Sequence, residues 1–87
     1  FENADHALSL ANASNYGLAG YLFTDSARTI HAVSDRLEVG SLAVNGVAVS
    51  VPEAPFSGVK DSGYGSESGI EGMEEFLDSK FVHYFAV

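Results

Sequence analysis

Side chains that could act as nucleophiles, bases or metal ligands are scattered along this sequence. Its 87 residues include no cysteine, so neither a thiolate nucleophile nor a cysteine-based metal site is present in them. Serine is frequent, but no G-x-S-x-G turn holds one at a nucleophile elbow. The histidines, His6, His31 and His83, lack H-E-x-x-H or other ligand spacing. We therefore predict no catalytic residue and no metal site in this stretch.

Nor do the glycines between residues 58 and 69 predict a phosphate-binding loop. Gly58 and Gly63 have P-loop spacing, but Tyr64 and Gly65 follow where Lys and Ser or Thr are required. The spacing from Gly63 and Gly65 to Gly69 is one residue too long for the G-x-G-x-x-G dinucleotide motif. The sequence therefore predicts no cofactor-binding residue here.

The stretch from Pro55 to Gly65 is the most informative part of the chain. It combines a proline and three glycines with the aromatic residues Phe56 and Tyr64, and it shows no helix or strand periodicity. It lies within a connection of 22 residues, 46–67. Connections of that length inside a domain are usually functional or disordered, and disordered segments avoid aromatic residues. We predict an ordered loop shaped around a site; the alternative is a surface connector.

Hydrophobic periodicity predicts that a helix and a strand begin the chain. Asn3 or Asp5 can cap a helix that runs through Ser14, and Gly17 suits a left-handed position after its end. The short apolar run of residues 18–24 is typical of a buried strand.

A second helix and a second strand follow. Thr24 or Asp25 can cap the helix, in which apolar residues recur every three or four positions until Gly40 closes it. Residues 41–45 form another short apolar run. Because two strands joined through one helix favour a parallel, right-handed crossover, the sequence predicts an α/β fold with a βαβ unit.

The end of the chain combines a third helix with an apolar segment. Ser68 and Glu71 have the spacing of a capping box, and apolar side chains follow at helical spacing. Residues 81–86 are typical of a strand that is apolar on both faces except for His83. Such a strand must be covered on both faces or paired with another chain.

Charge excludes some classes of partner. Twelve acidic residues against four basic ones give a formal charge of −8, which argues against a nucleic-acid surface and an anionic membrane surface. No apolar run approaches the roughly 20 residues that a membrane span requires. No charged-then-apolar leader is visible at the start, so a cytoplasmic location is the expectation.

One set of residues matches a known family in order and spacing over essentially the whole chain. It comprises Asn12, Tyr16-Gly17-Leu18-Ala19, Phe23-Thr24, Gly40, Asn45, Pro55-Phe56-x-Gly58-x-Lys60-x-Ser62-Gly63-x-Gly65-x-Glu67-x-Gly69 and Lys80-x-Val82. These residues resemble the C-terminal segment of the NAD(P)-dependent aldehyde dehydrogenases. The residues around the Pro-Phe cluster resemble the succinate-semialdehyde dehydrogenase branch most.

The resemblance implies part of an oxidoreductase that oxidises an aldehyde, such as succinate semialdehyde or a similar semialdehyde, to an acid. In that family a cysteine thiolate attacks the aldehyde, NAD or NADP accepts the hydride, and a glutamate-activated water releases the acid. The matching residues and the cofactor domain would lie upstream, so the chain alone is expected to be inactive. Residues 1–79 would be the C-terminal part of the catalytic domain, and residues 80–87 the oligomerisation strand of a homo-oligomer.

Two residues of the chain become substrate-binding candidates through the resemblance. Phe56 matches an apolar wall of the substrate tunnel near the reacting carbon. Ser50 matches a serine that semialdehyde-specific members place against the far carboxylate of the substrate; the alternative is a loop serine bonded to its own backbone. Lys60 and Ser62 are expected to hold the loop in shape rather than to touch substrate.

Two residues depart from the family pattern. Ser57 stands where glycine is usual, which would strain the backbone if φ were positive there. Ser66 stands where arginine is common, which removes an expected ion pair. The hypothesis from a different class is a stand-alone binding or assembly module that keeps the scaffold without its chemistry.

Overall fold

Three helices and four short strands make up the fold of this chain. The structure, a computed structural model, describes residues 1–87. The elements in chain order are α1 (Ala4–Asn12), β1 (Tyr16–Gly17), β2 (Ala19–Leu22), α2 (Ala27–Arg36), β3 (Ser41–Val44), β4 (Val59–Lys60) and α3 (Gly69–Glu74). None of the helices has the length and apolar character needed to cross a bilayer.

Helix α1 begins as predicted and ends earlier. The backbone N–H of His6 donates to the Asn3 side chain at 2.9 Å, which makes Asn3 the N-cap. The predicted left-handed cap at Gly17 is wrong, because this glycine lies in β1. A Cβ atom there would lie 2.6 Å from the Val59 side chain, so Gly17 allows a close approach of two strands instead.

Helix α2 begins at a different cap from the predicted one. Ser26 is the N-cap and accepts a hydrogen bond from the backbone of Thr29 at 3.2 Å. Thr24 instead accepts from the backbone of Ser26, so it shapes the turn before the helix. The helix ends at Arg36 and not at Gly40. Several Ser, Thr and Asp residues in succession can each cap a helix, and the turn geometry selects one.

Two separate pairs of strands connect distant parts of the chain. Strands β2 and β3 pair in parallel, from Ala19 opposite Ser41 to Leu22 opposite Val44, and α2 lies between them in sequence. Strands β1 and β4 pair antiparallel. The second pair brings the middle of the long connection back to the end of α1.

The predicted capping box before α3 is wrong. Ser68 precedes the helix but its side chain makes no capping hydrogen bond. Its φ of 62° lies in the left-handed region, whereas a capping side chain usually extends from β-region backbone. The apolar stripe of α3 and the turn after it is exposed at Ile70, Met73, Phe76 and Leu77.

Residues 80–87 form no strand within this chain, contrary to the strand predicted at 81–86. They have no regular secondary structure, and all of them are exposed. A strand forms only where another strand accepts and donates its backbone hydrogen bonds, and none lies beside this segment. The oligomerisation role of residues 80–87 stays a prediction.

The apolar surface of the chain is only partly covered. Its buried apolar residues are Leu8, Val33 and Ala43. The radius of gyration is 18.1 Å, whereas a compact domain of this length has one of about 12 Å. The accessible surface is 6991 Å², about 2,000 Å² more than a folded monomer of this mass exposes. Much of this surface resembles one side of a hydrophobic core or of a subunit interface, which another polypeptide segment would cover.

Candidate functional site

The loop of residues 55–67 is closed at its base by backbone hydrogen bonds. The N–H of Phe56 donates to the carbonyl of Glu67 at 2.7 Å, and the N–H of Glu67 donates back at 2.9 Å. Strand β4 lies between these two residues and pairs with β1. The loop is therefore ordered, as the aromatic and glycine content predicted.

A cavity of about 240 Å³ lies between this loop and Leu18. Half-buried Phe56 lines it, together with the carboxylate residues Glu67 and Glu75. Ser50 is exposed and is not among the residues that line it. The structure thus places one of the two predicted substrate residues on a cavity wall and leaves the other apart from it. The substrate roles of both stay predictions.

Lys60 ties the loop to the end of helix α1. Its Nζ donates to the carbonyl oxygens of Asn12 at 2.9 Å and Ser14 at 3.2 Å, and it forms an ion pair with Glu38. The last carbonyls of a helix lack intrahelical partners and favour a nearby cation. Lys60, although distant from α1 in the sequence, supplies these carbonyls with both hydrogen-bond donors and a positive charge.

Two further hydrogen bonds fix the same region of the loop. The N–H of Gly17 donates to Ser62 Oγ at 2.8 Å, and the N–H of Asp61 donates to the carbonyl of Asn15 at 2.9 Å. Ser62 and Lys60 therefore hold the loop against α1 and β1, which is the role expected for them from the sequence.

Asn12 joins the ends of two helices, a role that the sequence did not reveal. Its Nδ2 donates to the carbonyl of Arg36 at 2.7 Å, and its Oδ1 accepts from the N–H of Glu38 at 3.0 Å. The sequence did place this amide side chain near a predicted helix end. Such a side chain can donate and accept hydrogen bonds at once, so its position could have indicated a bridging role.

Asn45 acts in the same way at the end of the parallel strands. Its Oδ1 accepts from the N–H of Thr24 and its Nδ2 donates to the carbonyl of Thr24, both at 2.9 Å. The backbone of Asn45 has a φ of 55°, a conformation that asparagine tolerates better than most residues. The side chain thus takes over the backbone pairing where the strands stop.

Close packing of the backbone fixes the position of the loop next to Phe56. A Cβ atom on Gly40 would overlap the carbonyl oxygen of Ser57. Ser57 itself has no positive φ, so the strain predicted for a serine at this position is absent. At the other departure from the family pattern, the N–H of Ser66 donates to Glu75 Oε1 at 3.2 Å.

A comparison with known protein families identifies the chain. Residues 1–82 match the profile of the aldehyde dehydrogenase family. The chain belongs to the aldehyde dehydrogenase family. This confirms the resemblance inferred from the Pro-Phe cluster and the residues around it.

Two curated relatives and one solved structure show how much of an aldehyde dehydrogenase the chain represents. It is 74% identical over 86 residues to 4-(hydroxymethyl)benzenesulfonate dehydrogenase TsaD1 of Comamonas testosteroni, covering 99% of the chain and 18% of that protein. It is 42% identical over 84 residues to human mitochondrial succinate-semialdehyde dehydrogenase, covering 97% and 16%. The crystal structure of Staphylococcus aureus betaine aldehyde dehydrogenase in complex with NAD+ matches with a TM-score of 0.88 and 41% identity, covering 92% and 16%. The chain thus spans less than a fifth of these relatives.

The cavity beside Phe56 carries a charge that bears on what this aldehyde dehydrogenase chain can bind there. It contains two carboxylates and no lysine or arginine, so its charge disfavours the pyrophosphate of a dinucleotide. This cavity therefore does not fit the phosphates of NAD or NADP. No group of three or more His, Asp or Glu side chains is placed to hold a metal ion.

Proposed function

We propose that this chain is the C-terminal part of an NAD(P)-dependent dehydrogenase that oxidises an aldehyde with a distal anionic group to a carboxylic acid. The family match over residues 1–82 carries the proposal. When bound, NAD or NADP supplies the hydride acceptor. The nucleophile and the cofactor site belong to other parts of the protein, so the 87 residues alone are inactive.

The contribution of this chain to the reaction is the wall of the substrate tunnel. An apolar ring at Phe56 would exclude water from the reacting carbon, which strengthens electrostatic stabilisation in the site. The half-buried position of Phe56 on the cavity wall supports this role, and so do the contacts of Ser62 and Lys60 that hold its loop against α1 and β1, because a wall acts only if its position is fixed.

The names of two relatives support the proposed substrate class. Succinate semialdehyde carries a carboxylate away from its aldehyde, and 4-(hydroxymethyl)benzenesulfonate carries a sulfonate on the far side of its ring. The second compound is an alcohol whose oxidation gives the aldehyde 4-formylbenzenesulfonate, so its name supports the distal anion and not the aldehyde group. Both groups are anions that a hydroxyl can bind by donating a hydrogen bond. Ser50, exposed in this chain, is the proposed donor.

The arrangement of the chain in the whole enzyme is part of the proposal. Residues 1–79, with the βαβ unit, form the end of the catalytic domain, and residues 80–87 form the oligomerisation strand of a homo-oligomer. The exposure of every residue from 80 to 87 supports the second assignment, because such an apolar segment gains stability when another chain covers it.

Steady-state kinetics of the whole protein test the proposal. The substrates are succinate semialdehyde, 4-formylbenzenesulfonate and neutral benzaldehyde, each with NAD+ and with NADP+. We expect oxidation of at least one anionic aldehyde with a kcat/KM above that for benzaldehyde. A protein that oxidises none of the three would contradict the proposed function.

Replacing Ser50 by alanine tests the substrate contact. Losing one hydrogen bond to a charged group should raise KM for the anionic aldehyde about tenfold and leave KM for benzaldehyde unchanged. Ser9→Ala, at an exposed position of α1, is the matched control and should change neither value. Equal effects of Ser50→Ala on charged and neutral substrates would remove Ser50 from the site.

A further inference from the structure

Lys60 has an unusual backbone conformation for its residue type. Its φ of 55° lies in the left-handed region, which costs a residue other than glycine about 1 kcal/mol or more. Such a conformation persists only where surrounding contacts outweigh its cost. At Lys60 those contacts come from the side chain, because an ammonium group has three N–H donors and three acceptors surround this one.

The three acceptors of Lys60 belong to two different segments. The carbonyls of Asn12 and Ser14 lie at the end of α1, and Glu38 follows α2. Asn12 in turn bonds the backbone of Glu38, so the two segments are already joined. Lys60 therefore attaches the loop to a junction whose two segments are hydrogen-bonded to each other without it.

This attachment differs from an ordinary surface ion pair. The side chain of Lys60 is 26% exposed, whereas Arg36 and Asp5, which form the other ion pair of the chain, are 53% and 78% exposed. Exposed pairs contribute about 0–1 kcal/mol because water screens them and two long side chains lose freedom. Glu38 is 54% exposed, so its ion pair with Lys60 is also screened by water; what distinguishes the attachment is the less exposed lysine side chain and its two additional bonds to carbonyls at the end of α1.

The position of Phe56 relative to the opposite cavity wall depends on this attachment. Phe56 is bonded to Glu67, but both residues belong to the same loop, so their pairing does not fix the loop relative to Leu18. The loop meets the part of the chain that precedes it through a strand pair of only two residues, through hydrogen bonds of Ser62 and Asp61, through the close packing of Ser57 on Gly40, and through Lys60. Of these contacts, only that of Lys60 uses a charged side chain.

We propose that Lys60 is a positioning residue that sets the distance between Phe56 and the opposite wall of the site, and so determines which aldehydes fit productively. The inference rests on the proposed function. Lys60 touches neither substrate nor cofactor in this proposal; it acts through the placement of Phe56.

The test uses the whole enzyme and the variant Lys60→Met, which keeps the length of the side chain and removes its donors. We expect KM for the preferred aldehyde to rise about tenfold with a smaller change in kcat, because a displaced wall weakens binding of substrate and transition state alike. Lys60→Arg keeps the charge and donors and should recover part of the loss. Arg36→Met removes one positive charge from an exposed pair and should leave KM unchanged.

A double-mutant cycle with Phe56→Ala separates positioning from a general loss of structure. If Lys60 acts through Phe56, Lys60→Met should change KM less than about twofold in the Phe56→Ala background, because interacting sites are not additive. An equal change in both backgrounds, or a fall in kcat with KM unchanged, would overturn the proposal.

Amide hydrogen exchange provides a readout that does not depend on activity. Lys60→Met should accelerate exchange at the amides of Asp61 and Gly17, whose hydrogen bonds cross between the loop and the α1 and β1 region, and leave those of β2 and β3 unchanged. If Lys60→Met does not fold, Glu38→Gln removes the negative charge of one of the three partners and should produce the same pattern with smaller effects. Unchanged exchange at Asp61 and Gly17 would reject the positioning role, whereas an enzyme without aldehyde oxidation but with this pattern would reject only the proposed function.

Discussion

The loop of residues 55–67 and the segment of residues 69–87 are held in different ways. The loop finds its partners inside the chain, through the Phe56–Glu67 pairing and the ammonium of Lys60. The later segment exposes its apolar side chains, with Phe76 90% and Phe81 88% exposed. The polar groups of the loop find their hydrogen-bond partners within the 87 residues. Large apolar side chains need more surface than 87 residues supply.

The magnitudes of these two kinds of contact also differ. An intramolecular hydrogen bond contributes about 1 kcal/mol net, and more when one partner is charged. Fully covering a phenylalanine side chain contributes about 1.5–3 kcal/mol. The polar contacts therefore specify where the loop lies, and covering the apolar segment would contribute more to stability. Substitutions in each region should therefore have effects of different size and kind.

The largest effect is expected from Gly40→Ala. The added Cβ would overlap the carbonyl oxygen of Ser57, and neither backbone segment can move without displacing the loop. We expect a loss of about 3 kcal/mol or more in the free energy of unfolding, measured by denaturant titration of the whole protein. Gly46→Ala is the control, because its Cβ would meet nothing nearer than 3.9 Å. Equal stability of the two variants would show that the loop is not packed on Gly40.

Asn45→Ala should have the next largest effect. It removes both hydrogen bonds to Thr24 and places alanine at a φ of 55°, for an expected loss of about 2–3 kcal/mol. Asn45→Gly relieves the backbone and should lose less. Asn15→Ala, whose side chain makes no hydrogen bond, should stay within about 0.5 kcal/mol in the same titration. If Asn45→Ala left the free energy of unfolding unchanged, the strand pair would need no amide side chain at its end.

We expect the 87-residue chain to self-associate through the exposed apolar side chains of residues 69–87. Replacing Phe81 and Phe85 by serine should weaken this association at least about tenfold, roughly 1.4 kcal/mol, in sedimentation velocity. Tyr64→Ser removes an exposed aromatic residue of the loop and is the control that should leave association unchanged. A chain that stays monomeric at all concentrations would contradict the need for a covering surface.

The smallest effect is expected from Arg36→Met. Its partner Asp5 is exposed, and solvent screens the pair, so the loss should be at most about 1 kcal/mol and should decrease with added salt. Thermal unfolding at low and high ionic strength measures it. A larger loss than for Asn45→Ala would invert the expected order, in which two hydrogen bonds and a left-handed backbone outweigh one exposed ion pair.

Elements that depend on local pattern were predictable from the sequence. The two strands around α2 appear where short apolar runs predicted them, and Asn3 caps α1 as expected. The caps of α2 and α3 were not predictable from residue type alone, because Ser26 competes with two neighbours and Ser68 adopts a left-handed backbone. In each case the local backbone conformation, and not the residue type, decides whether the side chain reaches the helix N–H groups.

Sequence alone was enough to establish the family, the three helices, the two strands around α2 and the ordered loop around Phe56, because motif spacing and hydrophobic period are local properties. It did not reveal β1 and β4, which exist only because two segments distant in sequence pair with each other. Only the tertiary structure decided which carbonyls Lys60 bonds, that Asn12 and Asn45 join separate elements, and that Phe56 but not Ser50 lines the cavity. These facts depend on the distance between segments far apart in the chain. Residue type states what a side chain can bond, and the fold decides what lies within its reach.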